Sequence, residues 1–176
     1  MFVTRWFGGL NMKKSLSIIG GICASLLVGV FVFMCVLICL NPYNTHNVLL
    51  QEEIKKLNQT QEFVLNDIVP FEWDTMYVFE KGTDKKYIEE TIGISNSMIK
   101  SVPNAENAVS IIFVDEDKIT AYPIGTKEEL GYYIDIPLNK EKHAEVQFED
   151  YFICYVESEN GIAKIMDLYE YLSKIY

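Results

Sequence analysis

Between Ser15 and Gln51 the chain carries no Asp, Glu, Lys or Arg, and Leu16 to Leu40 is almost entirely apolar. Twenty-five helical residues rise about 37 Å, enough to cross a bilayer with some tilt. The run holds nothing more polar than Ser or Cys, whose side chains a helix satisfies through its own carbonyls. The sequence therefore predicts a transmembrane helix over 16–40, and residues 41–176 read as a tethered domain.

Arg5, Lys13 and Lys14 precede the run, and no acidic residue occurs before Glu52. The positive-inside bias places residues 1–15 in the cytoplasm and 41–176 outside, as a single-pass protein of the cell membrane. A cleaved signal peptide has a shorter apolar core, about 7–15 residues, and a small-residue cleavage site. Here the run is longer and no such site precedes Asn41-Pro42; nor do small residues lead into Cys23, Cys35 or Cys39, as a lipoprotein signal requires. An uncleaved anchor is expected. Met12-Lys13-Lys14 before an apolar run is an ordinary start for an exported bacterial protein, and Phe7-Gly8-Gly9 can be encoded by a ribosome-binding site. Starting at Met12 leaves the topology unchanged. Ser17, Gly21, Ser25 and Gly29 fall on one helix face, so they either allow a homodimer through the anchor or reflect the usual small-residue content of membrane spans.

Past the span, 136 residues leave room for one domain with one core. All 25 acidic residues lie there against the 12 basic ones that remain once Arg5, Lys13 and Lys14 are set aside, a net charge of −13. That charge repels nucleic acid and favours a basic protein or peptide partner or divalent cations, or else simply solvates the surface. Only Cys154 remains outside the span, so no intradomain disulfide can form, which suits a bacterium with a single membrane. Apolar residues flank Cys154, so a buried thiol is expected, and the acceptor triplet Asn58-Gln59-Thr60 is set aside in a bacterial reading.

Leu50, Ile54, Leu57, Val64 and Leu65 make a helical stripe from His46 to Asn66, read as a juxtamembrane amphipathic helix (41–67) that docks on the domain proper (68–176). Thr75 to Phe79 reads as a strand; Thr83 is the expected N-cap of a short helix buried through Tyr87, Ile88, Thr91 and Ile92 and ended by Gly93. Residues 94–108 read as polar and turn-rich. Val109–Val114 and Ile119–Tyr122 form a hairpin, Tyr132–Ile136 and Ala144–Phe148 are further strands, and Tyr151–Glu157, apolar on both faces, is a central one. Asn160-Gly161 turns the chain into Ile162–Ile165, and Asp167 caps a last helix with Leu168, Tyr171, Leu172 and Ile175 on one side. The sum is an α+β domain: a mostly antiparallel sheet with two to three helices.

Phe71, Trp73, Asp74, Tyr77 and Phe79 form a Phe-x-Trp-Asp-x-x-Tyr-x-Phe pattern. It resembles one in small membrane-anchored or lipidated proteins of Gram-positive bacteria, which continue with a short helix and a hairpin similar to Ser110–Asp115. The similarity covers about residues 68–122. It implies an extracytoplasmic α+β domain and carries no site residues.

Few residues offer chemistry. Zinc needs several His, Cys or carboxylate ligands, and the outer part has His46, His143 and one buried Cys. His143 stands in Lys140-Glu141-Lys142-His143, which reads as a solvated loop. Asp115-Glu116-Asp117 lacks the ligand spread of a calcium loop and reads as a hairpin tip; Glu52-Glu53 and Glu89-Glu90 read as surface charge. No catalytic, metal or cofactor residues are expected. Trp73, Asp74 and Tyr77 are the candidates for binding a partner: Trp73 either floors a sugar or peptide groove or anchors the core, and Asp74 caps a turn. Tyrosines 77, 87, 122, 132, 133, 151 and 155 allow a polar-aromatic groove, with most of them expected to line the core. Three function classes are open, in descending order: an extracytoplasmic binding module, an immunity or inhibitor protein at the outer membrane face, and a cell-envelope enzyme of unknown reaction.

Overall fold

The computed structural model describes residues 27–32, 42–57, 61–139, 142–159 and 161–175. Among these no helix is long and apolar enough to cross a membrane. Of the span expected at 16–40, only 27–32 are described, and they are helical with exposed side chains. The remainder of that span, with Ser17, Gly21, Cys23, Ser25, Cys35 and Cys39, lies outside the described residues, as do Arg5, Met12, Lys13 and Lys14. Residues up to Asn41 form one unit, and Pro42–Tyr176 forms another.

The second unit is α+β with mostly antiparallel sheets. Helix α1 (Pro42–Lys56) opens on Pro42, a residue suited to a first helical turn, where its missing N–H costs nothing. It ends at Lys56, so the helix expected to reach Asn66 is shorter than its stripe suggests. Gln61–Val64 is instead a strand, β1, followed by one helical turn, α2 (Leu65–Ile68). The docking expected of this segment holds: Leu50, Ile54, Phe63 and Leu65 are buried.

Two sheets form where one was expected. The first runs β4 (Lys118–Ala121), β3 (Ala108–Asp115), β2 (Thr75–Glu80), β7 (His143–Gln147), with β5 (Ile124–Thr126) also on β3. The second runs β1, β8 (Ile153–Glu159), β9 (Ile162–Asp167), β6 (Tyr132–Asp135), its β6–β9 pair parallel. The reason lies in β3. Val109, Ile111 and Phe113 point into a core shared by the two sheets, while Ala108, Ile112 and Val114 point to a second core on the other face. A strand apolar on both sides needs a cover on each. Sheet two supplies one. Helix α3 (Lys85–Ile92) supplies the other through Ile88 and Ile92, together with Ile99 and Val102 of a loop whose composition suggests only polar turns.

Local chemistry places the breaks. Asp84, not Thr83, caps α3, accepting from the Tyr87 amide at 3.0 Å, while the Thr83 hydroxyl donates back to the Glu80 carbonyl. Gly93 ends that helix at φ 72°, a left-handed conformation a side chain would oppose. Between β4 and β5, Pro123 has no N–H for a ladder, but its carbonyl accepts from Ile111 N at 2.8 Å. Helix α4 (Lys127–Leu130) starts with Thr126 and Glu129 in a reciprocal capping box. Helix α5 (Leu168–Ile175) starts with Asp167 accepting from Tyr169 N, as the sequence predicts, but its apolar side is not buried. Leu172 and Ile175 are exposed, and Tyr171 instead stacks on Tyr155 with ring centroids 3.8 Å apart.

β4 is an edge strand, and α1 closes its open side. Asn47 gives Nδ2 to the Tyr122 carbonyl at 3.0 Å and takes the Tyr122 amide on Oδ1 at 2.8 Å, as a neighbouring strand would. His46 Nδ1 lies 2.8 Å from the Thr120 carbonyl, which can only accept, so that nitrogen carries the proton. Asn47→Ala should cost about 1–3 kcal/mol in urea unfolding and selectively speed hydrogen exchange at the Tyr122 amide. A loss spread evenly over the domain would contradict this edge-closing role.

Candidate functional site

The three partner-binding candidates do not share a surface. Trp73 is 4% exposed and lies in the core between the sheets, edge-on to Phe113 at 5.7 Å and to Phe148 at 5.4 Å. Asp74 is a staple. Its Oδ2 accepts from the Glu116 amide at 2.6 Å, its amide donates to Val114, and its carbonyl accepts from Phe148 N. Glu116 sits at φ 53° in the acidic hairpin tip, a conformation that costs a non-glycine residue roughly 1–2 kcal/mol and that the Asp74 bond offsets. Tyr77 is half-buried on the opposite face, stacked on Phe79, and burial followed by the Glu145 carboxylate raises its pKa.

His143 corrects the reading of a solvated loop. It is 6% exposed and opens β7, with Nδ1 at 3.0 Å from the Tyr87 hydroxyl and Nε2 at 3.2 Å from Asn139 Nδ2. Its apolar surroundings come from β2, where Phe79 packs 5.8 Å away. The four charged or charge-capable residues Lys140 to His143 carry no signal of that partner on α3. Cys154 is buried as expected, and burial followed by the Asp167 charge pushes its thiol up to about 12. Among the described residues no three His, Cys, Asp or Glu side chains gather where a metal ion could be held.

The groove that tyrosine content allows forms elsewhere, from Tyr122 and Tyr132 together with Tyr43. It is a cleft of about 420 Å³ at the end of the domain where α1, the loop after α3, the β4–β5 break and the α4–β6 junction meet. A volume of that order is in the range of small-molecule sites. Val48, Met98, Ile124 and Leu130 supply apolar wall.

Tyr122 joins the walls. Its backbone is tied to Asn47 on α1, and its hydroxyl accepts from Lys100 N at 2.9 Å and donates to Lys100 O at 3.1 Å. Burial raises its pKa, so it stays a neutral phenol able to do both. The loop wall is fixed at its other end by Glu89, so that residue is more than the surface charge its sequence context suggests. Glu89 Oε1 accepts from Asn96 N at 2.9 Å and from the Ser95 hydroxyl at 3.2 Å, and pairs with Lys85 at 3.5 Å. Lys85 Nζ in turn donates to the Asn96 carbonyl.

Tyr132 is only 1% exposed, and its hydroxyl has no hydrogen-bond partner among the described residues. Sequence reasoning reaches both Tyr122 and Tyr132 as possible groove residues but misses Asn47, Glu89 and Met98. The Thr126-x-x-Glu129 box before Gly131 is a usable signal for α4; nothing in the sequence pairs position 47 with 122. The chain matches no protein-family model, no curated protein and no solved structure.

Trp73→Ala should lower unfolding free energy by roughly 3–5 kcal/mol through the cavity it leaves, measured by urea denaturation. The Asn96 amide, the Lys85 ammonium and the Ser95 hydroxyl together hold the Glu89 carboxyl below the usual range. A lowered pKa means its grip on the loop is complete at neutral pH and is lost as pH falls through that pKa. The Asn96 amide shift should therefore titrate on acidification, and Glu89→Gln should abolish that titration.

Proposed function

We propose that the chain is a membrane-anchored binding module of a bacterial envelope. The apolar segment 16–40 spans the membrane with Arg5, Lys13 and Lys14 inside, and the Pro42–Tyr176 unit stands outside and takes a ligand in the tyrosine cleft. The observation that carries the binding reading is the cleft itself: an opening of about 420 Å³ whose walls are pinned by Tyr122, Asn47 and Glu89 before any ligand arrives. Preorganised walls lower the ordering cost of association. The residues with nucleophile or base chemistry serve the fold in this reading, since His46, His143 and Cys154 are each held inside it.

The net charge of −13 supports a second reading, an immunity or inhibitor protein that meets a basic protein or peptide at the outer membrane face. In either reading Ser17, Gly21, Ser25 and Gly29 offer the span a face for close helix pairing, and with it a homodimer. Nucleic acid is an unfavourable partner for such charge.

Topology is the first test. Ser158 is exposed on β8, whereas the native Cys154 is buried with a thiol pushed up to about 12 and so stays unreactive at neutral pH. In intact cells, Ser158→Cys should label with a membrane-impermeant maleimide while the unsubstituted protein does not. Labelling of Ser158→Cys only after lysis would refute the outward orientation.

A further inference from the structure

Strand register fixes which side chains lie on the outer face of sheet two. Cys154, Val156 and Ile165 point into the core, so the residues that alternate with them point away from it. One outward row across the four strands is Glu62, Tyr155, Met166 and Asp135, and the next holds Glu157 and Lys164. Helix α5 lies on this face, since Tyr171 stacks on Tyr155 and donates its hydroxyl to the Tyr155 hydroxyl at 3.2 Å. Leu168, Tyr171, Leu172 and Ile175 form one apolar stripe along the helix, yet none of them is buried. Leu172 and Ile175 are exposed, and so is Ile153, on the same face of β8 as Tyr155. A helix of eight residues draws most of its stability from burying such a stripe, and this one is left half covered.

Charge on the same surface is uneven. Lys164 pairs with Asp135 at 3.0 Å and Lys174 with Glu170 at 2.7 Å, which uses the lysines of both β9 and α5. Glu62 and Glu157 enter no ion pair among the described residues, so the sheet face that carries the stripe keeps two unneutralised carboxylates. With a net charge of −13 over residues 41–176, a second copy of the chain or an anionic lipid surface would meet this patch with like charge. An apolar stripe beside free carboxylates is matched instead by an amphipathic helix whose polar face is basic.

We propose that the α5 face of sheet two docks a basic amphipathic helix of a protein partner; this rests on the reading of a domain that meets a basic protein or peptide. The probe is a synthetic helix with Leu along one face and Lys along the other, beside a counterpart with Glu in place of Lys. The full chain, carrying ¹³Cζ-tyrosine in zwitterionic lipid nanodiscs, is titrated with each. The Leu/Lys helix should give saturable shifts at Tyr155 and Tyr171 and none at Tyr43 or Tyr122, and the Leu/Glu helix should give none. Leu172→Ser with Ile175→Ser should weaken binding about tenfold. Both side chains are exposed, so the fold does not depend on them. Glu62→Gln with Glu157→Gln should weaken binding and flatten its salt dependence, whereas Glu52→Gln with Glu90→Gln, an equal loss of charge on α1 and α3, should leave both nearly unchanged. Shifts confined to other tyrosines, binding indifferent to the two Ser substitutions, or equal weakening by both Gln pairs overturns the docking surface while leaving a basic partner in place. Equal binding of the Leu/Glu helix overturns the charge match and the basic-partner reading with it; no saturable shift at any tyrosine fails both as well. A shift at Tyr155 and Tyr171 on concentrating the protein alone, or on adding empty nanodiscs, assigns the face to a second copy or to lipid and overturns the proposal.

Discussion

β3 has no face turned to water, and the domain is arranged around that constraint. From Ala108 to Val114 every side chain is buried, alternating between two cores. A strand of this kind cannot end a structure on either side. On one side it requires a second sheet, and β1, β8, β9 and β6 form it; on the other it requires α3 and the loop behind it. The same alternation separates Trp73 and Met76 from Tyr77 and Phe79, because β2 runs alongside β3 and shares its two faces.

Polar groups then decide how the layers end. The edge of β4 is closed by the side chains of His46 and Asn47 instead of another strand, so α1 is part of the domain. That closure leaves a wedge between α1 and the loop after α3, and Tyr122 spans it. The cleft is bounded by hydrogen-bonded backbone and apolar side chains.

The distinctive residues of the sequence divide by task. Trp73 fills space between the sheets, Asp74 ties a strained hairpin tip to the start of β2, and His143 joins β7 to α3 through Tyr87. Asp74 and His143 are chemically capable groups whose neighbours use that capability for cohesion. The cleft is built from more ordinary residues, and its character comes from which of them already have bonds.

The apolar run without charges, the alternation along β7, the β3–β4 hairpin and the Gly93 helix stop were all legible in the sequence, because each depends on residues within a few positions of one another. The α+β class came from their order, and the burial of Cys154 from its flanks. The division into two sheets was not legible, since it turns on which strands pair with β3 and which with β8, partners as far apart as Gln61 and Val156. His143 looked solvated because its neighbours in sequence are charged, while its neighbours in space are Phe79 and Tyr87. The cleft was the least legible part. It exists only where α1, the loop after α3, the β4–β5 break and the start of β6 meet, and no local pattern records that Asn47 would pair with Tyr122. Local periodicity determined which segments bury a face; only tertiary packing decided which faces meet, because the partners of each face lie far away in sequence.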